Sequence, residues 1–276
     1  MKILVTGANG MLGQDLCPIL EDEGHTVVET DVDTLDITNF EMVKEVLNKE
    51  KPDCVIHCAA YTNVDKAEED LETAKLINSK GTENIAKVSS ELDITVVYIS
   101  TDYVFDGTKN SPYTPDDKPN PINNYGLTKF EGEKAVLKYC KKYYIARTSW
   151  LYGHHGKNFV ETMLSLADKS ELKVVDDQTG CPTWTCELAN GIVKLFEKPY
   201  GIYHVCGSGS TTWYGFAKEI FEQYKKLEQT DLDVNVLPCT TEDFPRPANR
   251  PKYSVMANDK ICRNWKSALK DYLQLR

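Results

Sequence analysis

The chain has no apolar run approaching the roughly twenty residues that a membrane-spanning helix needs. Near its start, Ile3-Leu4-Val5 gives way to Thr6-Gly7 before it could form the core of a secretory leader. A soluble protein without a membrane partner is expected. Basic charge is short as well: 32 Lys and Arg stand against 42 Asp and Glu, a net charge of −10. That balance argues against wholesale wrapping of nucleic acid and leaves room only for a small phosphorylated partner. Paired thiols are missing too. The nine cysteines, at 17, 54, 58, 140, 181, 186, 206, 239 and 262, include no C-x-x-C, which excludes the usual structural zinc site. Their odd number and scatter fit a reducing cytoplasm. There is no flexible linker and no internal repeat.

What is present is an ordinary globular composition, 41% apolar and 27% charged over 276 residues, long enough for one large domain or two joined ones. The first half alternates strand-like and helix-like segments. Lys2–Thr6, Thr26–Thr30, Cys54–His57 and residues 95–99 read as strands, and 11–23, 41–48 and 66–91 as helices. Alternation of this kind implies parallel strands joined by right-handed crossovers. The expected fold class is therefore α/β, a doubly wound parallel sheet of the Rossmann type with ligands beyond the C-terminal strand ends.

Residues 106–124 carry four prolines and read as a loop, followed by a helix over 125–139 and a strand over 144–147. Helices are expected at 159–168, 186–197 and 214–226. Residues 1–150 are assigned to a dinucleotide-binding domain and 151–276 mainly to a smaller interleaved α/β substrate-binding domain. Segments around 172–200 and 231–240 are expected to return to the first domain.

The first chemical signal is Gly7-Ala8-Asn9-Gly10-Met11-Leu12-Gly13, placed between the first strand and the first helix. Glycines there allow a tight turn and close approach of a pyrophosphate, whose charge is stabilised by free amides at a helix N-terminus. Asp31, at the end of the second strand, is placed to hydrogen-bond ribose hydroxyls, and no Lys or Arg lies between His25 and Lys44 to favour a 2′-phosphate. The second signal is Tyr125-Gly126-Leu127-Thr128-Lys129, with Thr101 ending the fourth strand. Tyr125 and Lys129 share a helix face. An ammonium beside a phenol favours the phenolate and is expected to draw Tyr125 into acid/base range, while Thr101 hydrogen-bonds the same substrate oxygen.

Further segments are Cys58-Ala59-Ala60-Tyr61-Thr62, Val64-Asp65-Lys66-Ala67-Glu68, Ser100 to Gly107 (STDYVFDG), Arg147-Thr148-Ser149-Trp150-Leu151-Tyr152-Gly153, and Asp177-Gln178-Thr179-Gly180-Cys181-Pro182-Thr183. With these the chain resembles the extended short-chain dehydrogenase/reductases over nearly its whole length. The resemblance implies an NADPH- or NADH-dependent reduction of the C4 ketone of a dTDP-linked deoxysugar. It makes Tyr125 the proton donor, Lys129 its partner and a ribose ligand, and Thr101 the third member. It places the dinucleotide on Gly10-Met11-Leu12 and Asp31, the adenine beside Asp36 and Ile37, and Ala59, Ala60 and Tyr61 beneath the cofactor. The deoxyhexose would meet Thr101, Asp102, Tyr125 and Trp150, although Trp150 also reads as a core aromatic.

The resemblance further implies a homodimer, with magnesium at its interface held by Asp15, Glu187 and Asp271. The first and third of these are shorter than the glutamates of the described relatives, and plain surface carboxylates are the competing reading. Arg246 and Arg250, in a proline-rich segment, are candidates for the substrate diphosphate or else solvated loop charges. Related dehydratases carry an acid directly after the Thr-Asp pair, where this chain has Tyr103. Epimerases share the Tyr/Lys pair. A regulatory subunit of methionine adenosyltransferase keeps the same fold without catalysis, a reading that the intact Thr101, Tyr125 and Lys129 disfavour. His57, His154, His155 and His204 read as structural.

Overall fold

The computed structural model describes residues 1–229, 234–258 and 260–276. The first half runs β1 (Lys2–Thr6), α1 (Met11–Asp22), β2 (Thr26–Thr30), α2 (Phe40–Glu50) and β3 (Cys54–His57). It continues through α3 (Lys66–Glu69), α4 (Leu71–Lys75), α5 (Thr82–Glu91), β4 (Thr95–Thr101), α6 (Asn124–Tyr139) and β5 (Tyr143–Thr148). The single helix expected over 66–91 is broken. Asp70 accepts a hydrogen bond from the Thr73 N–H and so restarts the helix, and residues Leu76–Gly81 widen into a π-helical turn before α5.

The second half contains β6 (Leu151–Tyr152), α7 (Phe159–Ser165), β7 (Glu171–Val175), β8 (Thr179–Gly180), β9 (Thr183–Trp184) and α8 (Thr185–Leu195). After these come β10 (Gly201–His204), β11 (Thr211–Thr212), α9 (Trp213–Glu228), β12 (Asn235–Cys239) and α10 (Trp265–Gln274). No helix among the described residues is long and apolar enough to cross a membrane.

Six strands form one wholly parallel sheet in the order β10-β5-β4-β3-β1-β2. Strand alternation sorts its side chains onto two covered faces. Ile3, Val5, Cys54, Ile56, Val97 and Ile99 pack with Leu12, Leu16 and Leu20 of α1 and Leu188 and Ile192 of α8. Leu4 and Val55 point the other way, onto Val43 and Leu47 of α2 and Ile85 and Val88 of α5. A second core in the C-terminal half joins Tyr152, Val160, Trp184, Phe216, Ile220, Trp265 and Leu269. The chain leaves β1 for β2 on one side and β3 on the other, which opens a crevice at the C-terminal ends of β1 and β3.

Of the segments expected to return to the first domain, α8 within 172–200 packs on the sheet, whereas the strands β7 and β12 do not join it. Residues 231–233 lie outside the described ones, and β12 pairs in parallel with β7, Asn235 opposite Glu171, in a separate two-stranded ladder. Both strands carry exposed residues, Glu171 and Lys173 in β7 and Asn235 and Pro238 in β12, which suits a two-stranded ladder and not a sheet covered on both sides. The strand that does return is β10, beside β5, which the sequence reading left unassigned; α8 returns with it, against α1.

Candidate active site

A cleft of about 800 Å³ runs along the crevice from the α1 N-terminus to the front of α6. Its end at the glycine turn is built by backbone approach. Gly7 adopts φ +68°, a region that disfavours side chains, and a Cβ there would sit 2.7 Å from the Ala59 nitrogen. A Cβ on Gly13 would sit 2.6 Å from both the Ala8 Cα and the Gly7 oxygen. These glycines therefore let the turn lie on β3 and let α1 press against the turn. Gly10 caps α1 without a side-chain hydrogen bond, and the first turn carries no acidic residue, so its free amides face the cleft as an anion site. Asp31 accepts from the Asn9 N–H at 3.0 Å and the Val32 N–H at 2.8 Å, which ties the turn to the end of β2 and leaves lone pairs for ribose hydroxyls.

Gly7, Gly10, Met11, Leu12, Gly13, Asp31, Asp36, Ile37, Ala59 and Ala60 all line this cleft, as does Lys157. Tyr61 does not line it; its backbone is gripped instead. The Tyr61 N–H donates to Asn78 Oδ1 at 2.8 Å and Asn78 Nδ2 donates back to the Tyr61 oxygen at 3.1 Å. Asn78 is 1% exposed and sits in the π-helical turn. It was missed in the sequence, where its one signal is an amide inside an apolar helical stretch. His57 proves structural, its two nitrogens bonded with Thr6 at 2.7 Å and Thr82 at 3.1 Å, and burial pushes its pKa down to about 3.

At the other end the cleft brings together Thr101, Asp102, Tyr125, Lys129 and Trp150. Asn123 caps α6 by accepting from the Gly126 N–H at 2.7 Å. Gly126 leaves no room for a Cβ against Tyr103, so α6 starts directly on the turn that follows Thr101. Tyr125 then meets Tyr103 edge-to-face at 5.9 Å. Lys129 is 3% exposed and holds its Nζ 4.3 Å from the centre of the Tyr98 ring.

The electrostatics correct the expectation that Lys129 lowers the Tyr125 pKa. Burial dominates both groups, pushing Tyr125 up to about 12 against the pull of the Thr101 hydroxyl, and Lys129 down to about 7. Asp102 is likewise pushed up to about 7 by burial. Thr101 donates to Asp102 Oδ1 at 3.1 Å, while the buried Oδ2 has no partner among the described residues. That oxygen is a free acceptor for a ligand hydroxyl.

Several expected ligands are not brought to the cleft. Arg246 is exposed, and Arg250 gives its guanidinium fork to Asp65, each terminal nitrogen 2.9 Å from a carboxylate oxygen. The magnesium set does not fit either. Arg263 stands between the carboxylates, with Nε 2.7 Å from Glu187 Oε1 and Nη1 2.8 Å from Asp271 Oδ2, while Asp15 accepts from Thr185 and faces His155 at 3.4 Å. A guanidinium already bridges the pair. Among the described residues no group of three His, Cys, Asp or Glu side chains could hold a metal ion.

A glycine turn at the switch point of a doubly wound sheet, with a buried Tyr-x-x-x-Lys helix facing it, defines an extended short-chain dehydrogenase/reductase. Residues 1–275 match the family described as the RmlD substrate binding domain, and the chain belongs to that family. A spore coat polysaccharide biosynthesis protein, SpsK, of Bacillus subtilis is 43% identical, over 100% of this chain and 98% of its own. The crystal structure of a dTDP-4-dehydrorhamnose reductase from Clostridium acetobutylicum superposes with a TM-score of 0.95 at 48% identity, covering 100% and 99% of the two chains. That of a dTDP-4-dehydrorhamnose reductase from Bacillus anthracis in complex with NADP gives 0.94 at 41% identity, covering 100% of both.

Proposed function

We propose that the chain reduces the C4 ketone of dTDP-4-dehydro-L-rhamnose to dTDP-L-rhamnose at the expense of NADPH or NADH, with Tyr125 as proton donor. The observation that carries this reading is the single cleft, with an anion-binding glycine turn at one end and the buried Tyr125, Lys129 and Thr101 at the other. The relatives named as reductases of this sugar, at 48% and 41% identity over the full chain, supply the substrate class.

The dinucleotide, when bound, supplies the hydride. The chain's own residues do the rest. The α1 amides and Asp31 hold the pyrophosphate and ribose and so set where the nicotinamide lies. Tyr125, pushed up to about 12, keeps its proton at neutral pH, which is the state a donor to a forming alkoxide requires. Lys129 lies one turn further along the same helix face, to orient a ribose hydroxyl and to balance the phenolate after transfer. Asp102 Oδ2 accepts from a sugar hydroxyl, and Trp150 bounds the sugar's place in the cleft. The nine free cysteines support a cytoplasmic setting.

The test is NADPH oxidation, followed at the nicotinamide absorbance with dTDP-4-dehydro-L-rhamnose, for the native chain and Tyr125→Phe. The variant should bind NADPH normally and lose about 10²–10⁴ in kcat. A native chain that binds the dinucleotide but oxidises none with this sugar refutes the assignment.

A further inference from the structure

Trp150 adopts φ +48°, in the left-handed region that a bulky side chain rarely occupies. Such a backbone persists only where its surroundings hold it, and here the holding group is aromatic. The Trp213 indole lies on the Trp150 indole with centroids 3.5 Å apart and planes 4° from parallel. Gly180 presses on the same ring, so closely that a Cβ would come 2.6 Å from Trp150 Nε1. Trp150 is thus clamped by Gly180 and Trp213, and both tryptophans line the cleft.

Trp213 is held in turn. It is the first residue of α9, its Nε1 donates to Gln178 Oε1 at 3.2 Å, and Gln178 Nε2 donates to Thr241 at 2.9 Å. Phe159 supports its ring at 4.7 Å, so the clamp is continuous with the core of the C-terminal half. Gln178 and Gly180 belong to the Asp177–Thr183 segment, whose part in the site is otherwise unexplained by the catalytic groups.

We propose that Trp213 is a positioning residue for the nucleotide-sugar: oriented by Gln178, it fixes Trp150 at the sugar end of the cleft and so sets substrate affinity, not the chemical step. The inference rests on the reductase reading above. Losing a parallel aromatic pair is worth about three- to ten-fold in affinity.

In the full chain, Trp213→Ala should raise KM for dTDP-4-dehydro-L-rhamnose by that factor, with kcat and the NADPH dissociation constant within about two-fold of native. Trp213→Phe, which keeps a ring on Trp150, should recover most of the loss. Gln178→Leu, which keeps both indoles and removes the orienting hydrogen bond together with the one to Thr241, should raise KM by about two-fold, and serves if Trp213→Ala does not fold. Far-ultraviolet circular dichroism of the native chain should show the exciton contribution of two coupled indoles, absent from both Trp213 variants. An unchanged KM in Trp213→Ala overturns the proposal, as does a parallel loss in KM, kcat and NADPH affinity, the pattern of a purely structural residue. A native chain inactive on this sugar refutes the reductase reading itself and takes the inference with it.

Discussion

Glu133→Ala should be among the most damaging single substitutions in the protein, although Glu133 touches no ligand. Glu133 is 0% exposed on α6 and Arg147 is 1% exposed on β5. They form a two-pronged pair, Nε to Oε1 at 2.9 Å and Nη2 to Oε2 at 2.8 Å, and Ser100 on β4 donates to Oε1 at 2.6 Å. Removing the carboxylate leaves a guanidinium buried and uncompensated, at a cost of about 3–5 kcal/mol, and leaves the Ser100 hydroxyl without its acceptor for roughly another 1 kcal/mol. With an m-value near 3 kcal/mol per molar urea, the unfolding midpoint should fall by more than about 1 M.

The cost belongs to the orphaned charge and not to the pair as such. Glu133→Leu combined with Arg147→Met should therefore recover most of the lost stability, because apolar replacement of both partners is often neutral. The measurement is equilibrium urea denaturation of the native chain, the two single variants and the double variant. A midpoint shift in Glu133→Ala of only a few tenths molar, or a double variant as unstable as that single one, would refute the reasoning. α6 also carries Tyr125 and Lys129, so kcat should fall in Glu133→Ala below the denaturation midpoint.

Three further outcomes are expected. Gly13→Ala forces a Cβ to within 2.6 Å of the Ala8 Cα and should weaken NADPH binding at least about ten-fold in a fluorescence titration; native-like affinity would show that α1 can shift away. Asp102 is pushed up to about 7 by burial, so its contribution to stability is full below the ordinary carboxylate range near 4 and is lost as pH rises through 7. Melting temperatures of the native chain should therefore fall relative to Asp102→Asn between about pH 5 and 7.5, and parallel curves would contradict this. Chelation with EDTA should leave both activity and melting temperature unchanged, because Arg263 already occupies the space between Glu187 and Asp271; a drop restored by magnesium would show a cation at these carboxylates.

Local patterns explain why so much of the candidate site's layout was legible. Gly7, Gly10 and Gly13 are spaced for one turn, Asp31 ends the next strand, and Tyr125 and Lys129 are one helical turn apart, so each relation spans a few residues of chain. The strand limits of β1 and β3 followed from buried apolar runs in the same way, and those of the half-exposed β2 from its β-branched residues. What escaped was held by distant partners. Asn78 reaches Tyr61, Arg250 closes on Asp65 instead of facing a phosphate, and Trp213 lies on Trp150, all through side chains whose spacing in sequence carries no period. The titration behaviour was misjudged for a related reason. Proximity of Tyr125 and Lys129 could be read from their spacing, but the desolvation that outweighs it is a property of the packed interior.

The sequence by itself thus determined the class of fold, the glycine turn at the head of α1 and the placing of Tyr125 and Lys129 on one helix face, because short-range geometry and residue chemistry suffice for these. Only the tertiary structure decided which strand closes the sheet, which charges are already spent on one another, and which indole holds which. Those outcomes depend on burial and on contacts between residues far apart along the chain, and neither is encoded in any short stretch of it.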